Sequence, residues 1–337
     1  MTRVITVKNV NHALGEGFQW LKVAGHTASS RNGPVRVAPG PVVTEYLYPT
    51  QRVLFNQRRD ANPVFHLLES MWMLAGQRDS AWLLSYNARM AEYTEDDGTI
   101  HGAYGHRWRS AFGVDQLLEI IKELRAKPDS RQAVMQMWSS ELDLGVAKKD
   151  RPCNTHIYFD TAPNAHGTRV LNMTVCCRSN DALWGAYGAN AVHFSILQEL
   201  MAHGIGVRTG VYRQVSNNFH AYTDVEVAAA FLEQPPCVDP EWLYPAQTTP
   251  LLLEGETVEG FLADCAKLTA DHTIPALYAT RYFRTLVVPL KTAYDARRAK
   301  SRTWRAMLDS VAECDWKLAF IEWTERREKW NPQMTSK

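Results

Sequence analysis

The sequence predicts an α+β protein with a helical C-terminal region. Three observations carry this. Strand-length runs such as "NTHIYFDTA" and "RVLNMTVCCRS" recur before about residue 225. Segments with the 3.6-residue helical period stand between them, as in "VDQLLEIIKELRAKPDSR". Beyond that point strands give out and helical segments follow a Pro-rich connection, "LEQPPCVDPEWLYPAQTTP". At 337 residues and 45% hydrophobic composition, the chain can bury one elaborate core or two modest ones.

The elements read in order. Residues 1–26 give an opening strand and a helix. "SSRNGPVRVAPGP" reads as a Gly/Pro loop carrying Arg31 and Arg36, and "VVTEYLYPTQRVLF" as strand. "NPVFHLLESMWMLAGQRD" is a helix, with Asn62 as N-cap, Pro63 at its first position and Gly76 as its stop. "SAWLLSYNARMAEYTEDDG" reads as a second helix, and "YGHRWR" as a loop that holds Tyr104. An amphipathic helix with apolar positions 117, 118, 120, 121 and 124 precedes three strands. "NAVHFSILQELMAHGI" is a long apolar helix capped at Asn190, and "GVRTGVYRQVSNNFHAYTDV" returns to strand. In the C-terminal region Trp304, Trp316, Trp323 and Trp330 recur in helical segments, where an aromatic stripe packs on a core.

Composition excludes several classes. Net charge is +1, which argues against a nucleic-acid groove held by bulk charge. No stretch approaches the roughly 18 apolar residues of a membrane span, and the start lacks an apolar signal core. Six cysteines without a CxxC pair make neither a disulfide framework nor a zinc site. The expectation is a soluble, cytoplasmic protein without membrane or nucleic-acid partners and without a metal.

The polar residues of interest cluster at turns and element ends. Cys153 follows Arg-Pro at the mouth of a strand, where it reads either as a small buried hydrophobe or as a nucleophile. Glu69 lies between Leu68 and Trp72, and from its segment alone it reads as a helix-surface carboxylate. "CRSNDALWGAYGAN" puts Arg178 and Ser179 at a strand end before a Gly-rich turn, a combination suited to phosphate.

The order of these features is an arginine loop, a helical Glu, a Tyr segment, "DSR", "PC", "RS.D...G....N" and "HAY". In this order they resemble the thymidylate synthase family, which includes the nucleotide hydroxymethyltransferases of bacteriophages. The resemblance runs from about residue 15 to residue 225. It implies a large mixed sheet flanked by helices, with 1–225 as catalytic core and 226–337 as a helical extension packed on it. It also implies the site residues. Cys153 falls on the nucleophile that adds to C6 of the pyrimidine, with Arg178 favouring its thiolate. Glu69 falls on the carboxylate that orders water, Tyr104 on the residue linked to C5 proton removal, and Asn190 on the amide that reads the base edge. Arg31, Arg131, Arg178 and Ser179 match phosphate ligands, with Arg131 reaching across a two-fold homodimer. His220 and Tyr222 match the pair on the sugar hydroxyl. Asp181 matches a folate contact, and Met90, Arg59 and Gly185 fall on the same side. The co-substrate implied is 5,10-methylenetetrahydrofolate.

Departures from the family bear on the outcome. The synthases carry a Trp in a "WDEW"-like stretch where this chain has "MAEY", with Met90 and Tyr93. The residue after the nucleophile is usually His and here is Asn154, and Gln132 replaces the second Arg of "DSRR". "GAYGAN" is one residue longer than "GLPFN". The chain ends "REKWNPQMTSK", without a short apolar tail. A site without the indole and the tail admits water, so hydroxymethylation is expected ahead of methylation. Asn190 favours dUMP, but a flipped amide also satisfies the cytosine edge, so dCMP stays open.

Overall fold

A computed structural model describes residues 2–237, 244–270 and 277–330. The chain starts with Arg3–Val7 (β1) and Val10–Ala24 (α1), whose N-cap Asn9 accepts from the Asn11 amide. His26–Ser30 (β2) and Gly33–Val37 (β3) pair antiparallel. The predicted Gly/Pro loop is therefore a hairpin with Arg31 at its tip, and Gly33 takes the positive φ of 128° at the turn. Val42–Tyr46 (β4) is shorter than the predicted strand. Pro63–Leu74 (α2) starts and stops as predicted: Asn62 accepts from the Phe65 amide, and Gly76 has a φ of 74°.

The predicted second helix is broken into Ala81–Leu84 (α3) and a 3₁₀ turn over Ala88–Glu92. Asn87 accepts from the Arg89 amide, and this local bond competes with helix continuation. Tyr104–Arg109 (α4) is a helix rather than the predicted loop. Gln116–Ala126 (α5) is capped by Asp115 and buries Leu117, Ile120, Ile121 and Leu124. Val134–Gln136 (β5), Ser140–Asp143 (α6), Asn154–Pro163 (β6), Arg169–Cys177 (β7) and Asn180–Asp181 (β8) follow. Asn190–Ile205 (α7) is buried almost all round and ends at Gly206, with a φ of 87°. Arg208–Ser216 (β9), Phe219–Tyr222 (β10) and Glu226–Glu233 (α8) complete the N-terminal part.

The strands form two sheets. The larger runs β1-β4-β9-β7-β6-β5 and mixes parallel with antiparallel pairs. The smaller runs β2-β3-β10-β8 and begins where β7 ends. Helix α7 lies on one face of the larger sheet, against β7 and β9, with α2 and α5 beside it. On the opposite face Val4, Val134 and Tyr158 are exposed. Val258–Thr269 (α9), Val288–Arg298 (α10), Trp304–Met307 (α11) and Asp315–Trp330 (α12) follow, and α9, α10 and α12 all contact α2. Trp304, Trp316 and Trp323 are buried in the same apolar cluster as α2. The side chain of Trp330 and the chain end 331–337, where the missing apolar tail is expected, lie outside the described residues.

Candidate active site

Cys153 stands one residue before β6, where that strand meets the end of β7. Asn154 pairs with Cys177, the register then slips before His156, and the bulge leaves Cys153 beside Arg178. The Arg178 amide donates to the Cys153 carbonyl at 2.8 Å, and its side chain donates to the Pro152 and Arg151 carbonyls at 2.9 Å each. Arg178 Nη2 then lies 4.0 Å from Cys153 Sγ. The guanidinium also lies over the Trp138 ring, 5.4 Å from its centroid.

Two opposing effects meet at the Cys153 sulfur. Burial pushes the Cys153 thiol above its ordinary value, and the nearby Asp150 adds to the rise. Arg178, a hydrogen bond from Tyr104 and the charge of Arg31 oppose it without prevailing. The net direction is upward, toward the thiol form. Tyr104, at the start of α4, is itself pushed well up by burial and then by the neighbouring Cys153 and Asp150. Its ring stacks with Phe194 of α7 at 6.0 Å.

The extra residue of "GAYGAN" has a structural outlet. Ala182–Ala189 winds as a wide π-type turn with non-helical dihedrals at Tyr187 and Gly188, a form that absorbs one residue. Asn190 is consequently not a cap but the first residue of α7, buried at the end of that turn. Its Nδ2 donates to Asn180 Oδ1 at 3.0 Å, and Asn180 Nδ2 donates to Gln214 Oε1 at 3.0 Å and Ser216 Oγ at 2.9 Å.

Glu69 is not a surface carboxylate. It points from α2 toward α7, where its Oε2 is 3.2 Å from His193 Nε2. His193 is 4% exposed, and its Nε2 is not aligned for a hydrogen bond with any described residue. His66 lies behind it, with ring centroids 6.3 Å apart, and is held well below the usual histidine range by burial and then by Arg59. Asn154, the residue after Cys153, is fully buried; its Oδ1 accepts from Cys177 Sγ at 3.0 Å, and its Nδ2 has no partner among the described residues.

A second cluster surrounds Asp181. Burial pushes its carboxyl up to about 6, against a bond from the Trp184 amide and the charge of Arg59. Asp181 Oδ1 accepts that amide, while Oδ2 is buried without a hydrogen-bond partner among the described residues. Arg59 donates to the Leu183 carbonyl at 2.9 Å and lies 4.5 Å from the Trp184 ring centroid. Arg89, next to Met90 in sequence, also approaches that indole, 5.4 Å from its centroid. Trp184 is 39% exposed. Gly185 leaves room rather than making a contact: a Cβ there would lie 2.7 Å from Asn180 Oδ1.

The smaller sheet gathers further residues. Strand β10 pairs with β3 on one side and with Asn180–Asp181 on the other. This aligns His220 and Tyr222, whose rings meet edge to face at 5.3 Å, with the hairpin that carries Arg31. His220 Nδ1 donates to Asn218 Oδ1 at 2.8 Å, and burial lowers its pKa. Ser179 joins β7 to β8 beside Arg178. Arg131 stands apart: it is exposed after α5, in a surface groove with Glu123, Lys127, Ser130 and Gln132.

Several residues that sequence reasoning passed over take part in the surrounding contacts. Arg107 grips Asp143 through two bonds of 2.7 and 2.8 Å, and His101 Nε2 meets the same carboxylate at 2.9 Å. Burial raises the Asp143 carboxyl, but the Arg107 bonds win and hold it below the usual range. Arg151 donates to the Asp143 carbonyl at 3.1 Å, so this buried pair anchors the segment leading into Cys153. Asp143, Asn180, Trp184 and His193 gave no signal in sequence, because their partners lie 10 to 42 residues away or on other elements.

Comparison with known proteins follows the same lines. A family model described as thymidylate synthase matches residues 57–248. A deoxyuridylate hydroxymethyltransferase of Pseudomonas phage M6 is 42% identical over 96% of this chain and 94% of its own length. One of Bacillus phage SP01 is 35% identical over 55% of this chain and 50% of its own. One of Delftia phage PhiW-14 is 27% identical over 66% of this chain and 63% of its own.

Proposed function

The chain belongs to the thymidylate synthase family, and on that footing we propose that it transfers a hydroxymethyl group to C5 of dUMP. The observation that carries the reading is Cys153 Sγ set 4.0 Å from the Arg178 guanidinium, with Tyr104 in reach. The names of the phage relatives support uracil as the base and water as the final nucleophile.

The residues take these roles. Arg31, Arg178 and Ser179 bind the nucleotide phosphate, with Arg131 supplied by the second subunit of a homodimer. His220 and Tyr222 hold the sugar hydroxyl, and Asn190 pairs with the base edge. The Cys153 thiol passes its proton to solvent water as the nucleotide binds, and its sulfur adds to C6. The electron pair released onto C5 attacks the one-carbon unit of 5,10-methylenetetrahydrofolate, the co-substrate, forming a carbon–carbon bond. The C5 proton leaves through the Tyr104 hydroxyl, and the carbon–nitrogen bond to tetrahydrofolate breaks. Water ordered by Glu69 adds to the exocyclic methylene, and the sulfur–C6 bond breaks to release the product. One water is consumed and tetrahydrofolate leaves unoxidised.

Asp181 fits the folate: its buried, unpartnered Oδ2 is an acceptor awaiting a donor. Trp184, Arg59 and Met90 line the same side, with Gly185 behind. Residues 1–225 act as the catalytic core and 226–337 as a helical extension that buttresses α2. The setting is the cytoplasm of a phage host, without nucleic-acid or membrane partners.

One observation favours a second reading. The Trp184 indole stands near Arg89, the sequence neighbour of Met90, where it can replace the missing "WDEW" indole and hold folate for hydride transfer. Incubation with dUMP, dCMP and 5,10-methylenetetrahydrofolate together separates the readings. The expected product is dUMP enlarged by CH2O, with no dihydrofolate absorbance. A methyl product with stoichiometric dihydrofolate overturns the hydroxymethyl reading.

A further inference from the structure

We propose that a relay of buried amides, anchored on a backbone carbonyl, locks Asn190 in one of its two amide orientations and so fixes which pyrimidine edge is read. The inference rests on the reading above that Asn190 faces the base.

The relay starts at the carbonyl of Ala186, inside the π-type turn. A carbonyl only accepts. It takes the Tyr46 hydroxyl at 3.2 Å and Gln214 Nε2 at 3.0 Å. Tyr46 has a single proton, already committed to Ala186, so its oxygen accepts the second N–H of Gln214 at 3.1 Å. Gln214 Oε1 is left as the acceptor for Asn180 Nδ2, whose other N–H goes to Ser216 Oγ. Asn180 Oδ1 therefore faces Asn190 as an acceptor, and Asn190 must turn its Nδ2 toward it. Tyr46, Asn180, Asn190, Gln214 and Ser216 are all 5% exposed or less. Flipping any one amide would set two acceptors, or two donors, against each other away from water.

Uracil and cytosine offer reversed donor and acceptor patterns at N3 and position 4, so they demand opposite orientations of a facing amide. An amide free to turn accepts both bases. One held by the relay accepts one, which by the reading above is uracil. Asn180 is thus a positioning residue that acts through Asn190. Gly185 is part of the device, since a Cβ at that position would lie 2.7 Å from the Asn180 Oδ1 that defines the polarity.

The test is the ratio of kcat/KM for dUMP to that for dCMP, in the wild type and in Asn180→Ser. A serine hydroxyl donates or accepts at will, so it keeps a hydrogen bond while releasing the polarity. The ratio is expected to fall at least about tenfold, the factor associated with one misplaced buried hydrogen bond. Gly185→Ala, which displaces Asn180 Oδ1, should move it the same way. Thermal melting identifies which variants are folded, and an unchanged ratio in a folded one overturns the relay. In the wild type with isotope-labelled asparagine, the side-chain amide protons of Asn190 should exchange slowly; fast exchange also overturns it. If the wild type prefers dCMP, the uracil reading fails by itself, while the relay still requires the ratio to collapse toward unity.

Discussion

Burial and charge pull the Cys153 thiol in opposite directions, and burial prevails in the free protein. Its alkylation by iodoacetamide, followed by peptide mass spectrometry, should therefore rise with pH above the ordinary thiol range. Arg178→Ala should push that rise higher still, because it removes the largest opposing charge. Cys153→Ser should lower turnover at least about a thousandfold, as loss of a nucleophile does. Asp181 carries a different conflict. Its pKa of about 6 in the folded protein exceeds the ordinary 3.8, so its contribution to stability is full below the ordinary value and is lost as pH rises through about 6. Asp181→Asn should raise stability at about pH 8 by about 1–2 kcal/mol, and the gain should shrink as pH falls below about 6 and vanish only below the ordinary value of 3.8. The same substitution should raise the KM for the folate co-substrate. A stability gain of equal size at about pH 8 and below the ordinary value of 3.8 would remove the electrostatic explanation.

Between elements, the segment carrying Cys153 depends on one buried ion pair. Arg107 of α4 is 2% exposed, and Asp143 of α6 is fully buried. Breaking such a pair from one side leaves an uncompensated charge and costs about 3–5 kcal/mol. Arg107→Met should show this loss in urea unfolding, together with a lower kcat, since the segment 143–151 would no longer be anchored through Arg151. Loss of activity with an unchanged unfolding midpoint would contradict the anchoring role. Helices α4 and α2 touch closely as well: a Cβ at Gly105 would lie 1.7 Å from the Met73 carbonyl. Gly105 therefore sets how near Tyr104 comes to Cys153.

For the whole molecule, the uncovered face of the larger sheet and the isolated Arg131 point the same way. Val134 and Tyr158 are exposed on strands β5 and β6, at the end of the sheet nearest Arg131. A second copy on that face would cover them and bring its Arg131 to a site that lacks it. Sedimentation should therefore report a dimer. Arg131→Ala and Cys153→Ala, each inactive alone, should regain activity when refolded together, because one mixed site has both residues. Failure of the mixture, with both variants dimeric, would place Arg131 outside the site.

The sequence by itself determined the class of fold, the boundaries of α2 and the buried face of α5, and it singled out Cys153, Arg178, Asp181 and Asn190 as site candidates. These were legible because caps, periodicity and a fixed order of motifs are properties of the chain read linearly. Helix α4 and the broken segment 81–92 were not, because a short helix is decided by what it packs against and by local caps such as Asn87. Only the tertiary structure decided the state of the Cys153 thiol, the pairing of Glu69 with His193, and the orientation of Asn190. Each depends on burial or on a partner brought from another element. A carboxylate on α2, a histidine on α7 and an amide network spanning β4, β8, β9 and a π-type turn meet only once the sheets and helices have closed around them.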